Sequence, residues 1–376
     1  MGDRAGSIPV IRSKEVVIFE KSKIVAFFLY RNTGEKSMVS IILCTFNRAH
    51  MLRETLASIL AQTYTDFELL IIDDGSTDHT QELLSEYKDM RIRSFVLEEN
   101  HFYCAAANFG MTKARGEYIA FATSDDLWEP KKLEKQIAYL EKRKDCGACF
   151  TYVHIIDENG ENADDKNQAL FEVLRKTFYT RRDWVQRFIF DGNCLCHPTA
   201  VVRREVMEKV GGYNLYYSLL ADMELWLRIV RYYPIHVVEE GLVEYRYFEN
   251  GKQQLSGIGE KKITKSLNEH MMIRRNFLTD LTDEEMLEFF ADCFQYKEAL
   301  SHQELEIEKA FLLMSCVRDL PELRILGMEK LSLIHISRNG QGRKSERLRW
   351  NRCHDPLCGW RTGDSPLCGR RRFCDK

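Results

Sequence analysis

Nowhere does the chain carry an apolar run near the roughly 20 residues that span a bilayer. The longest early run, Ile24-Val25-Ala26-Phe27-Phe28-Leu29-Tyr30, is short, has charges on both sides and lies too far in to read as a secretion signal. No Gly-x-Gly-x-x-Gly follows the first convincing strand, where Cys44-Thr45-Phe46-Asn47 stands instead, and this disfavours a dinucleotide-binding oxidoreductase. The Gly-rich, Arg- and Lys-bearing loop that a sugar-1-phosphate nucleotidyltransferase would want there is missing too. Zinc-type spacing is also lacking. Cys146-x-x-Cys149 has no second pair nearby and reads as ordinary packing, and Cys353, His354, Cys358, Cys368 and Cys374 match no standard ligand template. Eight of the 12 cysteines, Cys44, Cys104, Cys146, Cys149, Cys194, Cys196, Cys293 and Cys316, are scattered through apolar contexts, which suits a reducing cytosol better than a disulfide scaffold.

Strong net charge is absent as well, at −3 for 376 residues, but the sum hides an asymmetry. Residues 337–376 hold 11 Lys and Arg against 4 Asp and Glu, so this tail stands near +7 and the remainder near −10. The tail loses all periodicity and repeats Pro356-Leu357-Cys358-Gly359 as Pro366-Leu367-Cys368-Gly369. It is expected to be a disordered or non-native terminus rather than a nucleic-acid-binding arm, and no nucleic-acid partner is expected. Residues 1–37 lack a clean period, end in a polar turn-like stretch and are expected to be an extension.

Between these ends, apolar strand-like runs alternate with amphipathic helical patterns, which predicts an α/β fold: a mainly parallel sheet with helices on both faces. Strands are expected at 39–44, 68–72, 92–97, 117–121 and 147–155. Helices are expected after Arg48, at 77–88, 105–114, around Leu133-Ile137-Leu140 and at 219–232. After Tyr245-Arg246-Tyr247 the strand patterns stop, and Thr282-Asp283-Glu284-Glu285 reads as a helix cap. The predicted organisation is a domain at 38–255, a helical appendage at 256–336 and the tail at 337–376.

Two acidic clusters mark the chemistry. Asp73-Asp74-Gly75-Ser76 follows Leu69-Leu70-Ile71-Ile72, and Ser124-Asp125-Asp126 follows Tyr118-Ile119-Ala120-Phe121. In open α/β sheets, ligands bind at the carboxyl ends of the strands, so both clusters should face one crevice. Carboxylates gathered there cannot all remain ionised unless a cation joins them, and Mg²⁺ or Mn²⁺ carrying a diphosphate meets that need.

The ordered set of motifs is specific. Thr45-Phe46-Asn47-Arg48, Gln62-Thr63 and Ile71-Ile72-Asp73-Asp74-Gly75-Ser76-x-Asp78-x-Thr80 are followed by Asn108-x-Gly110 and Ala114-x-Gly116-Glu117-Tyr118-Ile119. Ser124-Asp125-Asp126-x-Trp128-x-Pro130, His197-Pro198, Gly211-Gly212-Tyr213 and Asp222-x-Glu224-Leu225-Trp226-x-Arg228 complete it. Over roughly residues 38–250 the chain resembles the family-2 glycosyltransferases, inverting enzymes of the GT-A fold (a Rossmann-like α/β/α sandwich).

The resemblance implies a nucleotide-sugar donor, a saccharide or lipid-linked acceptor and work at the cytoplasmic face of a membrane, by peripheral association, in surface-polysaccharide or glycolipid assembly. Asp74 is expected to accept from the imide N–H of a uracil. Thr45 and the backbone near Cys44 would line the same pocket, and Asn47 and Ser124 would complete the donor-nucleotide set. Asp125 is the expected metal ligand and Asp222 the expected general base. Asp73 reads as structural, Asp126 as a cap toward Pro130, and Trp128 and Trp226 as core. The chain departs from the family pattern at Thr123 and Ala221, where acidic residues are usual, and at Phe102 and Ala107, where Gly and Arg are common. These departures motivate the alternative, a catalytically weakened sugar-nucleotide-binding or scaffold protein of the same fold. Retention of Asp74, Asp125 and Asp222 together argues against it.

Overall fold

In the structure of the protein, a computed structural model, residues 38–248, 260–298, 301–315 and 324–340 are described. Residues 1–37 and the tail beyond 340 lie outside them, as do Cys316 and the cysteines of the tail. The chain divides into two compact units between Ile273 and Arg274.

In the first unit, β1 (Val39–Thr45) and β2 (Phe67–Asp73) are buried along their whole length. Such unbroken apolar strands need cover on both faces, as a parallel sheet between helices provides. The two pair in parallel from Val39 against Phe67 to Thr45 against Asp73. β3 (Ile92–Val96) extends the sheet beyond β2, and β4 (Tyr118–Ala122) lies against the other side of β1, both in parallel. The connecting helices are α1 (Ala49–Leu60), α2 (Thr80–Glu86) and α3 (Phe102–Lys113). In α1, Leu52, Leu56 and Ile59 press onto one face of the sheet; in α3, Gly110 passes so close to β1 and β2 that a Cβ would come within 2.7 Å of Ile42.

The chain continues as β5 (Leu127–Trp128), α4 (Lys132–Lys142), β6 (Ala148–Ile156), α5 (Gln168–Val173), α6 (Arg181–Phe190), β7 (Val201–Arg203), α7 (Arg204–Val210), α8 (Ala221–Tyr232) and β8 (Ile235–Arg246). Among the described residues these strands make one eight-stranded sheet in the order β3-β2-β1-β4-β7-β6-β8-β5. The mainly parallel expectation holds, with antiparallel pairing where β7 meets β4 and β6 and where β5 meets β8. Because β2 and β4 flank β1, the loops leaving all three open on one edge of the sheet, the ligand edge of such folds.

Three helices start elsewhere than the periodicity predicts. α2 begins at Thr80, because the Asp78 carboxylate accepts the N–H groups of Thr80 (3.0 Å) and Ala49 (3.1 Å) and keeps 77–79 in the loop. α3 begins earlier, at Phe102, and α8 later, at Ala221, because the N–H groups of residues 218–220 are taken by Glu269. Glu269 belongs to α9 (Glu260–Asp280), the helix that runs across the division of the chain.

The second unit holds α10 (Asp283–Phe290), α11 (His302–Ser315) and α12 (Arg324–Gly340). The expected cap is present: Thr282 Oγ1 accepts the Glu285 N–H (3.3 Å) and the Glu285 carboxylate accepts the Thr282 N–H (2.9 Å). Among the described residues no helix is long and apolar enough to cross a membrane.

Candidate active site

At the end of β2, Gly75 turns with φ +79°, and a side chain there would meet the backbone of Glu99 at 2.9 Å. The turn is held by Asp73, which accepts the Ser76 N–H (2.9 Å) and the Gln81 side-chain amide. Asn47, itself at φ 54°, accepts the N–H groups of Thr77 (2.8 Å) and Asp78 (3.3 Å) through Oδ1, and its own N–H donates to Ser76 Oγ (2.8 Å). Asp73 and Asn47 therefore lock the two loops together.

That lock leaves Asp74 facing the next loop. Its carboxylate accepts the His101 N–H (2.9 Å), and burial lifts its pKa, while the His101 and Phe102 amides pull the other way. Phe102 stands at φ 66° with its ring largely exposed. A left-handed backbone favours glycine, so the geometry explains why Gly is common here in the resembling family and marks Phe102 as a strained substitution. Thr45, 2% exposed, has its Oγ1 buried and without a hydrogen-bond partner among the described residues. Such a group is costly to leave unmet. The neighbouring Cys44 is buried, and Asp74 is one of the charges that raise its thiol pKa after burial.

The second cluster divides its labour. Asp126 is buried and accepts the Arg246 N–H (2.8 Å) and the Thr123 hydroxyl; burial and then Asp125 push its pKa well up. It thus ties the loop to β8 rather than capping toward Pro130. Thr123, standing where an acidic residue is usual, supplies the partner that Asp126 needs. Arg246, 2% exposed, donates to the carbonyls of Asp125 (2.9 Å), Asp157 (3.2 Å) and Glu158 (3.1 Å) and pairs with Glu54 (3.0 Å). Asp125 keeps an open face; burial raises its pKa while Arg48 and Arg246 lower it.

Among the described residues no group of three or more His, Cys, Asp or Glu gathers as a metal cage. One open carboxylate beside a neighbour taken up by Thr123 and the Arg246 amide instead fits Mg²⁺ or Mn²⁺ held by one protein ligand, waters and substrate phosphates.

Asp222 lies in the first turn of α8, two residues after the N-cap Leu220. Oδ2 accepts the Asn193 side-chain amide (2.8 Å) and Oδ1 the Met223 N–H (2.7 Å), which leaves lone pairs free on a face still open to solvent. Burial raises its pKa to about 6, against the lowering pull of Met223 and Asn193. Buried thiols report the convergence of these groups. Cys196 lies within electrostatic reach of Asp126, Asp222 and Asp125 together, and Cys104 within reach of Asp222.

Between them, His197 Nε2 meets the hydroxyls of Tyr213 (2.6 Å) and Tyr103 (3.1 Å), and burial holds the ring neutral by lowering its pKa to about 3. Trp128 and Trp226 are core, as expected, at 3% and 0% exposure. The buried Cys146 and Cys149 are free thiols. The sequence reading passed over Asn193 and the role of Arg246. A lone arginine closing a strand, at Arg246, was the one available signal.

The family model described as Glycosyl transferase family 2 matches residues 40–211. The chain is 30% identical over 254 residues to an uncharacterized glycosyltransferase of Methanocaldococcus jannaschii, covering 66% of this chain and 84% of that protein. It is 31% identical over 221 residues to the putative teichuronic acid biosynthesis glycosyltransferase TuaG of Bacillus subtilis, covering 58% and 82%. Among solved structures, TarS 1-349 of S. aureus superposes with a TM-score of 0.53 at 14% identity, covering 82% of this chain and 93% of that one. TarS 1-349 has also been solved in complex with UDP-GlcNAc. At that identity the likeness speaks for the fold alone, which is GT-A.

Proposed function

The chain belongs to glycosyl transferase family 2, and from that premise we propose that it transfers a sugar, with inversion, from a uridine diphosphate donor to a hydroxyl acceptor. The observation that carries this reading is Asp222: a half-buried carboxylate aimed by Asn193 and Met223, with a pKa near the range in which a general base works well. Asp222 takes the acceptor's hydroxyl proton. The freed oxygen pair attacks the anomeric carbon from the side opposite the diphosphate, and the bond from that carbon to the diphosphate oxygen breaks with its electrons leaving on the diphosphate. A single in-line displacement of this kind inverts the centre.

Asp74 and Thr45, with Cys44, Asn47 and Ser124 around them, would hold the uridine, and Asp125 would hold Mg²⁺ or Mn²⁺. A cation bound there supplies positive charge to the leaving diphosphate. The name of the Bacillus relative and the UDP-GlcNAc complex of TarS support a sugar-nucleotide donor and a saccharide or lipid-linked acceptor in surface-polysaccharide assembly. Such an acceptor would be met by peripheral association with the cytoplasmic face of a membrane.

Calorimetry with UDP tests the first half. Binding should appear with Mn²⁺ and vanish with EDTA, and equal affinity in both would refute the metal assignment. NMR of the product's anomeric proton tests the second, because a retained configuration excludes a single displacement.

A further inference from the structure

α8 starts without a local cap: its N-cap residue is Leu220, which has no side-chain oxygen to offer the free N–H groups. What is fixed instead is the backbone just before the helix, by a carboxylate about fifty residues away. Glu269 on α9, 3% exposed, accepts the Ser218 N–H at 3.0 Å and the Ser218 hydroxyl at 3.3 Å through Oε1. Through Oε2 it accepts the Leu219 N–H at 2.9 Å and the Leu220 N–H at 2.8 Å. One carboxylate thus fixes three consecutive backbone amides that lead directly into the turn bearing Asp222. Burying a carboxylate is unfavourable unless it is well bonded, so these amides and Glu269 hold one another in a single arrangement.

We propose that Glu269 is the positioning residue of Asp222, setting the backbone from which the base projects toward Asn193. This rests on the reading of Asp222 as general base. Asn193 comes from the loop after α6 and reaches Asp222 from a separate element, so the carboxylate is aimed only while α8 starts where Glu269 holds it. A displacement of about an ångström at a reacting group is enough to cost a large factor in rate.

The titratable groups around Asp222 are Cys104 of α3, Cys196 before β7, Tyr213, Glu269 of α9, and Glu224 on its own helix. Burial raises both thiols and the phenol, which leaves them neutral in the working range, and Glu224 is paired with Arg228 (2.8 Å). The Glu269 carboxylate adds to the upward shift of Asp222, so its loss lowers the Asp222 midpoint.

Two measurements on the full chain test this without a donor or an acceptor: amide hydrogen exchange, and titration of the Asp222 carboxyl carbon by ¹³C NMR, assigned with Asp222→Asn. In Glu269→Gln, exchange at residues 218–220 should quicken at least about tenfold, as expected for loss of charge-assisted bonds, while β1 to β4 keep their protection. The Asp222 midpoint should fall, because the like charge of Glu269 is gone. An unchanged midpoint, or exchange that quickens evenly across the domain, overturns the proposal. If Glu269→Gln does not fold, Ser218→Ala removes one of the four bonds but keeps the charge, so exchange at residues 218–220 should quicken in smaller measure while the Asp222 midpoint stays within error; unchanged exchange overturns the proposal as well. Wild-type turnover in Asp222→Asn would instead refute the base assignment while leaving these bonds in place.

Discussion

Asp222→Asn should cost the protein its turnover and raise its stability. Burial holds the Asp222 pKa at about 6 in the folded chain against an ordinary 3.8. At 1.36 kcal/mol per unit, that difference of about two units makes the ionised side chain destabilising by roughly 2–3 kcal/mol above pH 7. The sign follows from proton counting. Between pH 4 and 6 the folded state holds a proton that the unfolded state has released, so the stability this group contributes is full below pH 4 and lost as pH rises through 6. Asparagine carries no such dependence.

It does turn an N–H₂ toward one of the two donors, Asn193 or the Met223 amide, at a cost of about 1 kcal/mol. The net gain near pH 8 is about 1–2 kcal/mol, or about 2–8 °C in Tm at the usual 2–4 °C per kcal/mol for a domain of this size. Below about pH 4.5 the order should reverse, because the lost hydrogen bond alone remains. Turnover should drop about 10²-fold or more with UDP affinity unchanged. Thermal and urea unfolding of both proteins at pH 4, 6 and 8, without nucleotide or metal, would check this. A variant less stable than wild type at pH 8, or one whose stability difference does not vary with pH, would refute the reasoning.

Three further outcomes are expected. Asp125→Ala should abolish Mn²⁺-dependent UDP binding in calorimetry, and retained affinity would move the metal ligand elsewhere. Phe102→Gly, which releases a side chain from φ 66°, should leave the fold no less stable and gain up to about 1 kcal/mol in urea unfolding; a clear loss would show that the exposed ring holds the loop. Arg246→Met should destabilise the domain by roughly 3 kcal/mol, because it strips the partner from three carbonyls and leaves Glu54 without its ion pair. Arg246→Met should also weaken Mn²⁺-dependent UDP binding, and an unchanged urea midpoint would contradict its anchoring role.

Much of the first unit was legible in the sequence because its signals are local. Runs such as Leu69-Leu70-Ile71-Ile72 must be buried strands, and Asp73-Asp74-Gly75-Ser76 must turn, so the placement of Asp74 and Asp125 at one sheet edge followed. Contacts made at long range were not legible. Asn193 reaches Asp222 across 29 residues, and Glu269 holds the backbone leading into α8 from about fifty away; no spacing rule announces either. The early start of α3 was hidden because an aromatic residue is not expected at a left-handed position. Asp126 was misread as a cap because its partners, Thr123 and the Arg246 amide, include one 120 residues distant.

β7 is three residues long, pairs with β4 from Tyr118 to Ala120 and meets β6 at Ala148 and Cys149. The strands that present Asp74 and Asp125 lie on one side of this narrow seam, while α8 with Asp222 enters the chain after it. Along the sheet, few backbone bonds therefore join β6 and β8 to the strands that bear Asp74 and Asp125. On the proposed function, a lineage built this way can vary the acceptor loops around residues 160–195, Asn193 apart, while it keeps Arg246 and the carbonyls of Asp157 and Glu158 that anchor the Asp125 loop, so divergence should gather on one flank of the sheet.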